Sequence, residues 1–142
     1  MTEVAFHFNV PDKLGYACRL LRKAYASGSQ VGVLGDGETL QALDKALWSF
    51  SALDFVPHCA ISAKPSVLAA SSIVLATDAG KLAHNQVLLH LGHSVPAGFE
   101  RFERLIELVT HDDADRAGAR ERWRHYADRG YTMKRHDLSA KP

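Results

Sequence analysis

Arg116, Arg120 and Arg124 recur every four residues near the C-terminus, a spacing that stacks them along one flank of a helix. Arginine presents a planar fork of donors that grips a carboxylate through two parallel hydrogen bonds, so the stripe suits an acidic ligand better than lysines would. Between Arg116 and Arg135 there are seven Lys and Arg residues against two acids, Glu121 and Asp128, although the whole chain carries a net charge of only +1. Positive charge is concentrated here. At about 100° per residue, Ala119, Trp123, Tyr126 and Gly130 share a narrow face that forms the expected core contact. Trp123, Tyr126 and Tyr131 border the arginines and can line an apolar pocket beside them. That combination fits an acidic peptide with a hydrophobic terminal residue; the bland alternative is a solvated helix face.

The remaining candidates carry less chemistry. Gly35-Asp36-Gly37-Glu38 follows an apolar run and precedes a helix, where a phosphate-binding loop would lie. Position 40 is Leu rather than the third Gly of G-x-G-x-x-G, no G-K-[ST] follows, and Asp36 and Glu38 repel phosphate. A tight turn whose acids complement a helix N-terminus accounts for it. A nucleotide-dependent α/β enzyme using Gly35–Glu38 remains the alternative reading. His84, His90 and His93 crowd one stretch without an acidic or Cys partner, so no metal site is expected. Cys18 and Cys59 form no C-x-x-C pair and no disulfide framework. Ser71, Ser72, Asp44 and Asp54 show no spacing that fixes a nucleophile and its base, so no catalytic residue and no cofactor is assigned.

A second cluster, Leu43-Asp44-Lys45-Ala46-Leu47-Trp48 followed by Phe55-Val56-Pro57-His58, places Trp48 and Phe55 on either side of a turn. They serve either as core or, if Pro57 holds the turn at the surface, as aromatic anchors of a protein interface.

Short strands are expected at Val4–Val10, Gln30–Leu34, His58–Ile61, Ser72–Ala76, Gln86–Leu91, Leu105–Val109 and Tyr131–His136. Helices are expected from Tyr16 to a stop at Ser27-Gly28, and over Glu38–Phe50, Pro96–Arg104 and Asp113–Arg129. The strand-helix-strand-helix opening predicts right-handed parallel crossovers, and the polar connections in the middle predict a less regular part. The class is α/β, with a mixed, mostly parallel sheet flanked by helices, nucleotide-binding-like but without a phosphate loop. One domain is expected over residues 1–138, with a flexible tail at 139–142.

Composition narrows the function classes. A chain of 142 residues with 46% apolar content can bury a core without disulfides or metal, which excludes whole-chain disorder. The near-zero net charge excludes a broad basic surface for nucleic acid. The longest uninterrupted apolar run is four residues, far short of the roughly 20 that a membrane span needs. The start, with an acid at position 3 and a turn at Pro11-Asp12, does not read as a signal peptide, so a cytoplasmic protein is expected.

Four segments in order, L-D-x-A-L-W, F-V-P-H, A-R-E-R-[aromatic]-[basic]-x-Y and G-[aromatic], resemble the chi subunit family of bacterial DNA polymerase III holoenzyme. Here they are Leu43–Trp48, Phe55–His58, Ala119–Tyr126 and Gly130-Tyr131. The resemblance implies a non-catalytic replisome adaptor that links single-stranded DNA-binding protein to the clamp loader, reaching DNA mainly through that protein. It implies that the protein's acidic, Phe-terminated tail binds at Arg116, Arg120 and Arg124 with Val109, Trp123 and Tyr131 as apolar neighbours. The family has Lys, Arg and Lys on the stripe and a Tyr where this chain has Trp123. The psi subunit contact of the family resembles Trp48, Phe55, Val56 and Pro57; psi, or another protein such as a helicase, is the expected occupant of that second face.

Overall fold

The first strand forms because Val4 and Phe6 alternate with Ala5 and His7, which lets both faces of a β-branched and aromatic segment be covered at once. In the computed structural model, which describes residues 1–49 and 56–139, this strand is β1 (Glu3–Val10). Asn9 takes a left-handed φ of 61°, a conformation that Asn tolerates better than most residues, and the register with its neighbour shifts between His7 and Val10. The chain then enters α1 (Lys13–Ala26), which buries Ala17, Cys18 and Leu21 and ends at Ser27 before Gly28, φ 81°.

β2 (Val31–Leu34), α2 (Gly37–Ser49), β3 (Cys59-Ala60), α3 (Pro65–Ala70), β4 (Ile73–Ala76), β5 (Val87–His90), β6 (Arg104–Thr110), α4 (Asp113–Asp128) and β7 (Thr132–Asp137) follow. The seven strands form one sheet in the order β3-β4-β2-β5-β6-β1-β7, and every pairing is parallel. The sheet expected to be mostly parallel is parallel throughout: the less regular middle connections are crossovers built from α3 and from 3-10 turns at Ala79–Lys81 and Phe99–Arg101. β2, β4 and β5 are buried along their whole length, as strands covered on both faces must be.

Two apolar layers result. α1 and α2 pack with Val31, Val33, Ile73, Leu75, Leu89 and Leu108 on one face of the sheet. On the other face Ala119 and Tyr126 of α4 pack with Val4, Phe6, Leu88, Leu105, Val109, Phe99 and Phe102. The helix expected over Pro96–Arg104 is a single 3-10 turn after Gly98, φ 83°; Pro96 and Gly98 prevent longer propagation, and Arg104 already belongs to β6. The last strand starts at Thr132, which leaves Tyr131 in the turn after α4. Ser139, first residue of the expected tail, donates from its N–H to Asp137 at 3.0 Å. Phe50, Asp54, Phe55 and residues 140–142 lie outside the described residues.

Candidate peptide-binding site

α4 begins at a dense capping arrangement. The Asp112 carboxylate accepts the Asp115 N–H at 3.0 Å, and Asp113 and Asp115 complement the positive end of the helix dipole. Asp115 in turn accepts from the Thr110 N–H (2.8 Å), the Thr110 hydroxyl (2.9 Å) and Lys13 Nζ (3.1 Å), which ties the helix start to the end of β6 and to α1. Burial raises the Asp115 pKa, but the Thr110 N–H and Lys13 outweigh it and hold the carboxyl below its usual range.

With its start fixed, α4 lays Ala119 and Trp123 over the face of β1 that carries Phe6 and Phe8, and a cavity of about 360 Å³ opens beside them. Phe6, Phe8, Val109, Ala119 and Trp123 form its apolar wall, and Arg116, Arg120 and Arg135 supply the charge. The Trp123 ring meets the Phe6 ring edge-on at 5.2 Å between centroids. Arg135 lies over Phe8 at 4.9 Å and over Trp123 at 5.9 Å, within cation–π range of both. Arg116 and Arg120 are exposed, and none of the three arginines has an ion pair among the described residues. An apolar basin edged by unpaired guanidinium groups suits a ligand with an apolar end group and several carboxylates.

A family model described as "DNA polymerase III chi subunit, HolC" matches residues 1–134 of the chain. This chain belongs to the chi subunit family of DNA polymerase III. It is 33% identical over 144 residues to the DNA polymerase III subunit chi of Pseudomonas aeruginosa, covering 97% of this chain and 98% of that protein. It is 28% identical over 119 residues to the subunit of that name from Haemophilus influenzae, covering 82% and 81% respectively. Chi is an accessory subunit of the holoenzyme and not its catalytic one.

Within this chi-family fold the residues expected to act together divide. Arg116, Arg120, Val109 and Trp123 line one cavity. Arg124 is exposed one turn further along α4 and lines no cavity described here. Tyr131 packs against Phe99 at 5.2 Å and borders a different hollow with His125 and Arg129. Arg124 follows Arg120 by a further turn of α4, and Tyr131 follows Gly130, φ 79°, in the turn that leads away from the helix beside Phe99. Phe6, Phe8 and Arg135 are the site residues that sequence reasoning missed. Phe6 and Arg135 are partners in the β1–β7 register, so they share a face of the sheet, a relation across more than a hundred residues that no local periodicity reveals.

Arg122 separates from the stripe altogether. It is 3% exposed, and its Nε donates at 3.2 Å to Glu107, which is fully buried. Glu107 also receives the Tyr126 hydroxyl at 2.7 Å and pairs with His90 Nδ1 at 2.9 Å, while Arg122 Nη1 donates to the His93 carbonyl at 2.8 Å. Burial and the Glu107 charge push the Tyr126 phenol far above its usual pKa. This network holds α4 against β5 and β6. It persists as a unit because stripping one partner from a buried pair costs about 3–5 kcal/mol.

Elsewhere, Asp36 accepts the Thr39 N–H at 2.7 Å, so a carboxylate already occupies the start of α2 where a phosphate would sit. That hydrogen bond holds the Asp36 carboxyl below the usual range. His90 is committed to Glu107 and His84 packs edge-on against Phe102 at 6.1 Å; among the described residues no group of three or more His, Cys, Asp or Glu is placed to hold a metal. At the second cluster Trp48 is 62% exposed and stands edge-on to His58 at 5.7 Å. His58 bridges the Asp44 carboxylate (2.8 Å) and the Val56 carbonyl (2.7 Å), which ties Val56 and His58 to α2. Pro57 is half-buried, and Val56, only 1% exposed, points into the core below, so it supports this surface and does not form part of it. No described helix is long and apolar enough to cross a membrane.

Proposed function

We propose that this chi-family protein is a cytoplasmic replisome adaptor whose α4 cavity binds the acidic, Phe-terminated tail of single-stranded DNA-binding protein. The observation that carries this reading is the cavity itself. An aromatic-walled basin of about 360 Å³ has at its edge three arginines with no ion pair among the described residues, in a chain whose net charge is only +1. The terminal ring of the peptide buries apolar surface against Phe8, Val109 and Trp123, at about 25 cal/mol per Å² removed from water. The carboxylates meet Arg116 and Arg120, with Arg124 adding to the field along the helix. The exposed Trp48 near the end of α2 forms the second face, for psi or another replication protein such as a helicase, and links the tail-bearing protein to the clamp loader. DNA is then reached through the bound partner.

Calorimetric titration with an acidic peptide ending in Phe, and with the same peptide lacking that Phe, tests the reading. Saturable one-to-one binding that disappears with the Phe supports it. Equal or absent binding of both peptides by the folded protein refutes it.

A further inference from the structure

We propose that Arg135 is the second jaw of a two-walled clamp on the terminal carboxylate of the bound peptide, an inference that rests on the tail-binding function proposed above. The arginine stripe belongs to α4 alone and forms one wall. Arg135 comes from β7, the edge strand of the sheet, and lines the same cavity from the opposite side. Its β1 partner is Phe6, which fixes its side chain on the α4 face of the sheet.

Arg135 differs in kind from Arg116 and Arg120. Its guanidinium lies 4.9 Å from the Phe8 ring centre and 5.9 Å from that of Trp123, among the rings where an apolar end group would settle. A guanidinium held against two aromatic faces has already lost much of its rotamer freedom, so little is left to lose when it takes up a carboxylate. Arg135 is exposed like the other two, so the rings and not burial set it apart: they cover one side of its guanidinium and leave the other open to a carboxylate. Asp137, the acid on its own strand, is occupied by Asn9 Nδ2 at 2.7 Å and by the Ser139 hydroxyl at 2.7 Å. The Arg135 charge is felt at Asp137, but Arg135 makes no close ion pair among the described residues.

Peptide geometry distributes the ligands. In a C-terminal aromatic residue the α-carboxylate and the ring hang from one Cα, so a ring lodged against Phe8 and Trp123 carries its carboxylate to the arginine stacked on those same rings. Acidic side chains further back lie over the exposed α4 stripe. Arg120 closes on the terminal carboxylate from the helix side and Arg135 from the strand side.

The test compares the peptide with a free C-terminus and its C-terminal amide on wild type, Arg135→Ala and Arg135→Lys, with Arg120→Ala as reference. All four are checked for folding by circular dichroism and melting. Wild type is expected to bind the amide at least tenfold more weakly. Both Arg135 variants should reduce that ratio to about threefold or less, since Lys keeps the charge but not the planar fork. An unchanged ratio in Arg135→Ala, or full retention of it in Arg135→Lys, overturns the proposal. If Arg120→Ala weakens binding while the Arg135 variants keep the wild-type ratio, only the clamp fails and the tail-binding reading stands. If the wild type binds neither peptide, both fail.

Discussion

Replacing Arg120 by Ala removes a guanidinium from the cavity edge without touching the core. Arg120 is exposed, follows Arg116 by one turn, and lies three residues before Trp123 on the cavity side of α4. A hydrogen bond to a charged group contributes about 1.5–3 kcal/mol, and exposure moves the expectation toward the lower end. At about 1.4 kcal/mol per factor of ten, the affinity for an acidic Phe-terminated peptide should fall about 10- to 100-fold. Stability should stay within about 0.5 kcal/mol, because Arg120 makes no buried contact and has no ion pair among the described residues. Raising salt from 0.1 M to 1 M contracts the screening length from about 10 Å to about 3 Å. Wild-type binding should therefore weaken with salt, and by more than that of the variant, which has one charge fewer to screen. Isothermal titration of both proteins at the two salt concentrations measures all of this. Equal dissociation constants for two folded proteins would mean that the stripe is a solvated helix face and that the cavity does not bind carboxylates.

The remaining expectations concern the other parts of the molecule. Millimolar ATP or NAD should leave the melting temperature unchanged because Asp36 occupies the N-terminus of α2; a rise of several degrees would show a nucleotide site that this reasoning denies. Trp48→Ala should weaken capture of a second-face partner with little loss of stability, whereas Val56→Ala should cost about 2 kcal/mol by chemical denaturation; the reverse pattern would place the interface elsewhere. Burial, with His136 and Arg104 adding positive charge nearby, lowers the His7 pKa from 6.5 to about 4. The unfolded chain thus binds a proton at His7 before the folded one does, so this contribution to stability is complete above pH 6.5 and is lost as pH falls toward 4. His7→Gln should flatten the acid limb of a stability profile measured by urea unfolding between those values; superimposable limbs would exclude His7 as its source.

Local chemistry was enough for part of this protein. The alternation in β1, the apolar runs of β2, β4 and β5, and the arginine spacing in α4 are properties of contiguous residues, so the α/β class and half of the cavity were legible in order. The acidic turn before α2 was legible too, and in the fold its Asp36 accepts the Thr39 N–H. Motif order carried the family resemblance without any coordinates.

Tertiary structure decided what depends on pairing between distant segments. Parallel register sets Phe6 beside Arg135 and so builds the second wall of the cavity, while the same packing draws Arg122 out of an apparently uniform basic helix to meet Glu107. A sequence lists seven cations between Arg116 and Arg135 as equivalent charges. Only the fold distinguishes Arg122, neutralised in the core, from Arg124, left in solvent, and from Arg116, Arg120 and Arg135, which face one basin. Side-chain type fixes what a group can bind, whereas the direction it faces follows from packing against residues that local sequence does not reach.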